Sequence, residues 1–160
     1  MKLSTRARYG LRALIDLGLY SENEAVSIQS IAERQKISDS YLEQLMPKLK
    51  KAGLVVSSRG VQGGYRLGRP AEEISVGEVL RVLEGGLDAV SCPGLEEQAG
   101  ESCAEADFCV TKQVWKRINE GIKEAVDTMM LNELIEQSRE AHEHHTEEIT
   151  EGKRACCSAG

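Results

Sequence analysis

The sequence predicts a mainly α-helical fold with one small β-hairpin, and three observations lead to this expectation. Apolar residues recur at helical spacing over 5–52, a glycine-rich turn separates two short β-like runs within 54–67, and a second helical stripe begins near residue 111. The chain of 160 residues is long enough to bury a core. Its 41% apolar and 29% charged residues are typical of a globular protein.

Composition also excludes several classes of protein. No stretch approaches the ~20 apolar residues of a membrane span, and the charged N-terminus 1–8 is unlike a signal peptide. Five cysteines in a chain of this kind indicate metal or redox chemistry more than structural disulfides. We therefore expect a cytoplasmic protein without a membrane partner.

The first three helices are predicted from their caps and apolar spacing. Ser4 or Thr5 caps the first helix, whose apolar residues lie three or four positions apart, and Ser27 opens a short second helix. The three-residue turn 36–38 leads into a third helix, which ends at Gly53. Two helices joined by so short a turn are typical of a helix-turn-helix motif.

A β-hairpin is predicted directly behind the third helix. Residues 54–58 form the first strand of the prediction, 59–64 a flexible turn rich in glycine, and 65–67 the returning strand. A glycine-rich hairpin alone is weak evidence, but behind a helix-turn-helix it indicates the wing of a winged helix. We assign this winged helix-turn-helix domain to residues 1–85.

The C-terminal half is predicted to contain three segments. Residues 86–110 form a loop rich in glycine, glutamate and cysteine, and residues 111–137 form one long helix. Its apolar stripe exceeds what a small winged domain covers, so we interpret it as a dimerisation helix rather than a lid on its own chain. Residues 138–160 are expected to be a flexible acidic tail. The stripe consists of Trp115, Ile118, Ile122, Val126, Met129 or Met130, and Leu134.

Charge is distributed unevenly along the chain. Residues 1–70 carry a net charge of +6, whereas residues 71–160 carry −12. Clustered lysine and arginine gain free energy by releasing counterions from phosphates, so a basic half on an acidic protein indicates a polyanion partner. Together with the predicted motif, this favours double-stranded DNA over the alternative of an unevenly charged, solvated surface.

The predicted motif also selects the residues that face DNA. A recognition helix reads base edges with side chains near its N-terminus, and an arginine at a wing tip suits a narrow minor groove. A carboxylate on the recognition helix is repelled by phosphates, so Glu43 suits a position where it accepts a hydrogen bond from a base. The alternative is that Glu43 pairs with a lysine such as Lys50. The candidates are Ser38, Ser40, Tyr41, Glu43, Gln44, Arg59 and Gly60.

Three cysteines fall in the predicted loop. Cys92, Cys103 and Cys109 have the spacing C-x10-C-x5-C, and thiolates so clustered favour zinc or an iron–sulfur cluster over three unconnected thiols. The spacing does not distinguish the two metals. A fourth ligand is not evident, and Asp107 and Glu105 are the nearest carboxylates. No glycine-rich phosphate loop precedes a helix and no catalytic set is present outside the tail, so we do not expect an enzyme or a small-molecule substrate.

Several motifs resemble the IscR-type iron–sulfur regulators, a winged-helix repressor family that also contains NsrR and CymR. The resemblance covers roughly residues 1–135 and rests on MKLSTRARYG at 1–10, SYLEQL at 40–45, GLV at 53–55, RGVQGGY at 59–65 and SVGEV at 75–79. It implies a homodimeric transcription factor, chiefly a repressor, that binds DNA according to cluster status and controls iron–sulfur assembly genes.

The same resemblance implies that Cys92, Cys103 and Cys109 hold the cluster, with 2Fe–2S expected before 4Fe–4S. Two features depart from the family pattern: the first two cysteines are further apart, and Lys112 stands where the pattern has a histidine ligand. A protonated lysine is a poor iron ligand. The alternatives are a related regulator that senses nitric oxide or redox state, and a zinc-stabilised regulatory module without a cluster.

Overall fold

A computed structural model describes most of the chain, and the fold below refers to that part. The ranges described are 3–22, 24–60, 63–90, 92, 95 and 109–143. The helices and strands are α1 (Thr5–Tyr20), α2 (Ile28–Gln35), α3 (Asp39–Lys51), β1 (Val55–Ser58), β2 (Gly64–Leu67), α4 (Val76–Glu84), α5 (Val110–Asp127) and α6 (131–143). None of the helices described is long and apolar enough to cross a membrane.

Serine side chains cap three of these helices. The Ser4 hydroxyl accepts from the backbone N–H of Arg6 at 3.1 Å, and Ser27 accepts from Ser30 at 3.1 Å. Ser75 begins α4 in the same way. Each cap satisfies an amide that has no partner within the helix, and the caps of Ser4 and Ser27 confirm the predicted starts of α1 and α2. Ser38 occupies the same position before α3 but forms no side-chain cap hydrogen bond.

The core lies where α1, α2, α3 and α4 meet. The helix-turn-helix contributes its apolar face to this core, and Leu54 and Val55 at the start of β1 pack against it. Burial of the large apolar side chains, at roughly 25 cal/mol per Å² of apolar area, is what holds the helices together. The largest fully buried side chains are Leu14, Leu17, Ile31, Leu42, Leu45, Met46, Leu49, Leu54, Ile74, Leu131, Val55 and Val79.

The two strands form an antiparallel hairpin in which Val55 lies opposite Leu67. Val26 adds a short bridge to this hairpin, because its N–H donates to the Tyr65 carbonyl at 2.9 Å and its carbonyl accepts from Tyr65 at 2.8 Å. Gly64 permits the close approach, since a Cβ there would lie 2.4 Å from the Val26 carbonyl oxygen. The architecture is a winged helix-turn-helix, as the sequence predicts.

The predicted helix 111–137 is divided in two. α5 ends at Asp127 and α6 begins at residue 131, because the intervening segment pairs with the chain before α4. Val76 donates to the Met129 carbonyl at 2.9 Å, and Leu131 donates to the Ile74 carbonyl at 2.8 Å. Residues 138–143, predicted as the start of a flexible tail, continue α6 as a helix.

Candidate DNA-binding surface and cysteine segment

The polar residues predicted to read DNA share one face of α3. Ser38, Ser40, Glu43 and Gln44 are exposed, whereas the apolar residues of the same helix are buried against α1 and α2. The division follows from helical periodicity, which places residues three and four apart on the same side. α3 therefore presents its polar N-terminal side chains to solvent on a rigid helix.

Tyr41 differs from the other candidates because it is half-buried. Its ring meets Tyr9 of α1 edge to face, with 5.5 Å between centroids and 87° between planes. The guanidinium groups of Arg8 and Arg12 each lie 5.9 Å from the centre of the Tyr9 ring. The contact fixes the first turn of α3 against α1, and it places two cations near that turn.

Glu43 has no ion pair with any residue that the structure describes. The alternative of a pair with Lys50 is wrong, because Lys50 lies at the other end of α3 and its ammonium donates to the Ser57 hydroxyl at 2.6 Å. That bond ties the end of α3 to β1. Glu43 thus presents an exposed carboxylate on the polar face of α3.

The tip of the wing carries a positive charge. Arg59 follows β1 directly and is exposed, and Gly60 next to it has a φ of +120°, a conformation that side chains rarely adopt. Residues 61 and 62, which complete the tip, lie outside the described residues. The described part of the tip therefore places an arginine at the outer end of the hairpin.

A buried ion pair that the sequence did not predict holds α1 and α2 together. Asp16 is fully buried and accepts from the Arg34 guanidinium at 2.6 and 2.9 Å and from the Gln35 amide at 3.0 Å. The hydrogen bond to Asp16 raises the pKa of Arg34. The available signal was an acidic residue on the apolar face of the first helix. This network ties α2, the helix that precedes the turn into α3, to α1.

Two of the three predicted metal ligands are described. Cys92 and Cys109 are half-buried thiols, and Cys109 is the N-cap residue of α5, with its sulfur 3.1 Å from the Thr111 hydroxyl. Cys103, Glu105 and Asp107 lie outside the described residues. Within the described ranges, no three cysteine, histidine or carboxylate side chains form a metal-binding group.

The chain leading to Cys92 is fastened to α5. Asn119 is buried, accepts from the Ala89 N–H at 2.9 Å and donates to the Val90 carbonyl at 3.2 Å. One turn further along α5, Lys123 pairs with Asp88 at 3.0 Å. The chain from 88 to 90 therefore runs antiparallel to α5, toward the end of the helix where Cys109 lies.

α5 is in turn joined to the winged domain through α4. The Arg81 guanidinium donates to Asp127 at 2.6 Å, which raises the pKa of Arg81 and lowers that of Asp127. At the end of α4, Glu84 accepts from the Ser4 hydroxyl and from the Ser4 N–H at 3.1 Å, and these hydrogen bonds lower its pKa. We call residues 88–109, which contain Cys92, Cys103 and Cys109, the cysteine segment. A series of polar contacts thus connects the start of this segment, through α5 and α4, to the start of α1.

The donor set suits an iron–sulfur centre. Thiolates are the ligands that such clusters use, and a thiolate at a helix N-terminus is stabilised by the partial positive charge of the first amides. Cys109 has this position. Lys112, where a family histidine is expected, lies in the first turn of α5 and its N–H donates to the Cys109 carbonyl at 3.2 Å.

Comparison with known proteins gives consistent matches. Residues 3–137 match the model of the Rrf2 family, described as iron-dependent transcriptional regulator. The transcriptional regulator IscR of Pectobacterium atrosepticum is 41% identical over 135 residues, covering 84% of this chain and 79% of the relative. Among solved structures, T. potens IscR is 41% identical, covers 88% of this chain and 90% of its own, and superposes with a TM-score of 0.70.

A second solved relative is a cysteine regulator according to its name. CymR, the global cysteine regulator of B. subtilis, is 36% identical, with 86% of this chain and 98% of that chain covered and a TM-score of 0.70. The helix-turn-helix and its wing define a winged-helix DNA-binding protein. The chain belongs to the Rrf2 family, and it is a transcriptional regulator of the IscR/Rrf2 type rather than an enzyme.

Proposed function

We propose that this regulator acts chiefly as a repressor that senses iron–sulfur cluster supply and controls the genes of cluster assembly. The observation that carries the proposal is the position of Cys109 at the N-cap of α5, the helix that also holds the chain before Cys92. A metal centre held there is one helix away from α4 and the winged domain.

In this proposal α3 enters the major groove and the wing follows the adjacent minor groove. Ser38, Ser40 and Tyr41 contact the backbone, while Glu43 and Gln44 read base edges, since their exposed side chains offer an acceptor and an amide. Arg59, with Gly60 beside it, enters the minor groove, where a narrow A·T tract concentrates negative potential. The buried apolar face of α3 supplies the rigidity that base readout requires.

Cys92, Cys103 and Cys109 would hold the cluster, and Asp107 or Glu105 would supply the fourth ligand. We favour 2Fe–2S over 4Fe–4S. Bound there, the cluster supplies a centre that forms only when iron and sulfide are available. The chain's own part is to orient the thiols: Asn119 fixes the backbone before Cys92, and α5 fixes Cys109.

The proposed active form is a homodimer built on α5. Val110, Val114 and Ile118 form an apolar stripe at i, i+4 spacing and are 83%, 49% and 39% exposed. The same stripe continues at Ile122 and Val126, which are covered by α4 and the start of α1. The uncovered half of the stripe suits a second copy of α5, and pairing two copies would space two α3 helices for successive half-sites.

Cluster status would reach DNA through contacts already described. Cluster binding would shift the equilibrium between two positions of α5. The contacts Arg81–Asp127 and Ser4–Glu84 would pass the shift to α4 and α1. Since Tyr9 of α1 packs on Tyr41, a displacement of α1 changes the presentation of α3. Occupancy of operators would therefore differ between protein with and without cluster.

The first test is the visible absorption spectrum of anaerobically purified protein, with iron, sulfide and zinc assayed on the same sample. We expect broad bands at roughly 300–600 nm and matching iron and sulfide. Colourless protein that contains zinc and resists reconstitution would contradict the cluster and favour a zinc-stabilised module. Reaction of the cluster with sub-stoichiometric nitric oxide would identify a nitric-oxide sensor instead.

The second test separates the cysteine segment from other cysteines. Cys92→Ala and Cys109→Ala are expected to lose iron and the difference in operator binding between loaded and stripped protein. Cys157→Ala is the matched control, because it removes a thiol outside the proposed ligand set, and it should retain both. Unchanged cluster-dependent binding by Cys92→Ala at every site would contradict the role of the segment.

A further inference from the structure

The end of α3 that is proposed to meet DNA lacks positive charge. Its first two turns, 39–46, contain Asp39 and Glu43 and no lysine or arginine, and the three lysines of the helix lie in its last turn. Two carboxylates aimed at a polyanion are repelled, and phosphate contacts supply most of the affinity in DNA binding. The cations near this end must therefore come from a neighbouring element.

α1 is the element that lies beside this end. The edge-to-face contact between Tyr9 and Tyr41 brings the second turn of α1 against the first turn of α3. Arg8 and Arg12 flank Tyr9 on the same face of α1, one helical turn apart. Both are exposed.

The two arginines have different surroundings. Arg12 donates to the Gln35 side-chain oxygen at 3.1 Å and to the Gln35 carbonyl, so its guanidinium is held at the end of α2. Arg8 forms no ion pair with any part of the chain that the structure describes, and its guanidinium lies near the Tyr9 ring. A guanidinium at this distance from a ring is attracted by the ring face and keeps its N–H groups able to donate.

We propose that Arg8 binds the DNA phosphate backbone beside the major groove that α3 enters. The inference rests on the proposed placement of α3. A guanidinium presents a planar fork of donors that matches two phosphate oxygens. Because the nearby Tyr9 ring already restricts the Arg8 side chain, binding costs less conformational entropy. The contact adds affinity without sequence preference, because phosphates are the same at every base pair.

Arg6 provides a matched control on the same helix. It is also exposed, but it lies about 160° around the helix axis from Arg8. Its charge acts on Glu84 of α4, where it helps to lower the pKa of that carboxyl. Removing Arg6 therefore changes the net charge by the same amount as removing Arg8, on a different side of α1.

The test uses full-length protein and two duplexes: one selected by wild-type protein from a random pool, and a scrambled version of it. For Arg8→Gln we expect Kd to rise on both duplexes by the same factor, roughly eightfold at 0.1 M salt for each lost contact. The slope of log affinity against log salt should decrease by about 0.9 for each protomer. Arg8→Lys should retain most of the slope, and Arg6→Gln should match wild type.

Each alternative outcome is distinguishable. A slope for Arg8→Gln equal to that of wild type or Arg6→Gln would overturn the contact. A change in the ratio between the two duplexes would show that Arg8 acts by positioning Tyr41, which also overturns it. Gln44→Ala tests α3 separately: if it leaves that ratio unchanged, the placement of α3 is wrong and Arg8 does not lie beside the groove. Thermal unfolding of each variant confirms that it is folded.

Discussion

α3 and α5 are both amphipathic helices, but their apolar faces are buried to different extents. In α3, Leu42, Leu45, Met46 and Leu49 are all buried within the chain's own core. In α5 the apolar stripe is covered only over its C-terminal half, and Asn119 is the one residue of the helix described as buried. The apolar face of α3 is thus covered within one chain, whereas that of α5 is covered over only part of its length.

The difference separates two tasks. Base readout requires a rigid helix with a polar outer face, and α3 obtains this rigidity from apolar burial. Sensing requires an element whose position responds to a ligand, and such elements come from the less stable parts of a fold. In the proposed function α5 has this second role, because its contact with the winged domain combines one ion pair close to solvent, Arg81–Asp127, with the partly buried Ile122 and Val126. The exposed ion pair Asp88–Lys123 joins α5 to the chain before Cys92.

The largest expected difference is in the free energy of unfolding when one apolar side chain is truncated in each helix. Leu49→Ala leaves a cavity in the core and should lower the free energy of unfolding by about 2–5 kcal/mol. Ile118→Ala removes a partly exposed side chain and should cost under about 1 kcal/mol in dilute protein. Urea denaturation at two protein concentrations measures both, with sedimentation velocity for the oligomer.

If α5 pairs with a second copy, the cost of Ile118→Ala should increase with protein concentration while that of Leu49→Ala does not. A cost for Ile118→Ala that is large in dilute protein would remove the contrast between the helices. Wild-type protein that stays monomeric at micromolar concentration would contradict the proposed dimer.

A smaller effect is expected where the cysteine segment meets α5. Asn119→Ala leaves the Ala89 N–H and Val90 carbonyl without their partner, at a cost of about 1–3 kcal/mol. Hydrogen exchange at 88–92 should accelerate, and anaerobically purified protein should retain less iron. Lys123→Ala is the control, since it removes an exposed ion pair on the next turn and should change both quantities less. Equal effects would mean that Asn119 has no special role in positioning Cys92.

A change of specificity without a change of stability is expected on α3. Glu43→Ala should alter the preference between duplexes that differ at one base pair by about tenfold to a hundredfold. The melting temperature should stay that of wild type, because Glu43 is exposed and forms no ion pair with the described residues. Competition binding with single-base variants of a selected duplex measures the preference. Lys51→Ala, at the other end of the exposed surface of α3, should weaken all duplexes equally.

The sequence predicts the winged domain well and the C-terminal half less well, for a physical reason. In 1–85, serine caps, apolar spacing and turn glycines all act locally, so α1 to α4 and the hairpin follow from neighbouring residues. The break between α5 and α6 does not, because Thr128, Met129 and Met130 contain no helix breaker. It is set by pairing with residues more than fifty positions away, where Ser75 bridges Met130.

Long-range contacts also explain what the sequence could not supply about the site. The candidate residues of α3 and the wing were predicted from their position within the motif. The pairing of Asp16 with Arg34, and of Asn119 with the backbone before Cys92, depends on how separate elements pack. The ligand set stays a prediction, since the spacing of three cysteines specifies neither their geometry nor the fourth ligand.

The smallest expected effect lies within the winged domain, where Glu84 at the end of α4 accepts from Ser4 at the start of α1. These bonds lower the pKa of Glu84, so folding favours its ionised form. Their contribution is fully present above the usual carboxyl pKa and is lost as pH falls through the lowered value. Because the group is near solvent, we expect less than about 1 kcal/mol, or under about 3 °C in melting temperature.

Glu84→Gln should therefore lower the melting temperature slightly at pH 7 and converge with wild type toward pH 3. Glu72→Gln, at an exposed position of the turn Ala71–Glu73, should not show this convergence. If both variants behave alike, the contact between α4 and α1 is too weak to transmit a change from α5 to α3, and transmission would have to pass through the apolar contacts of Ala7 and Leu80 instead.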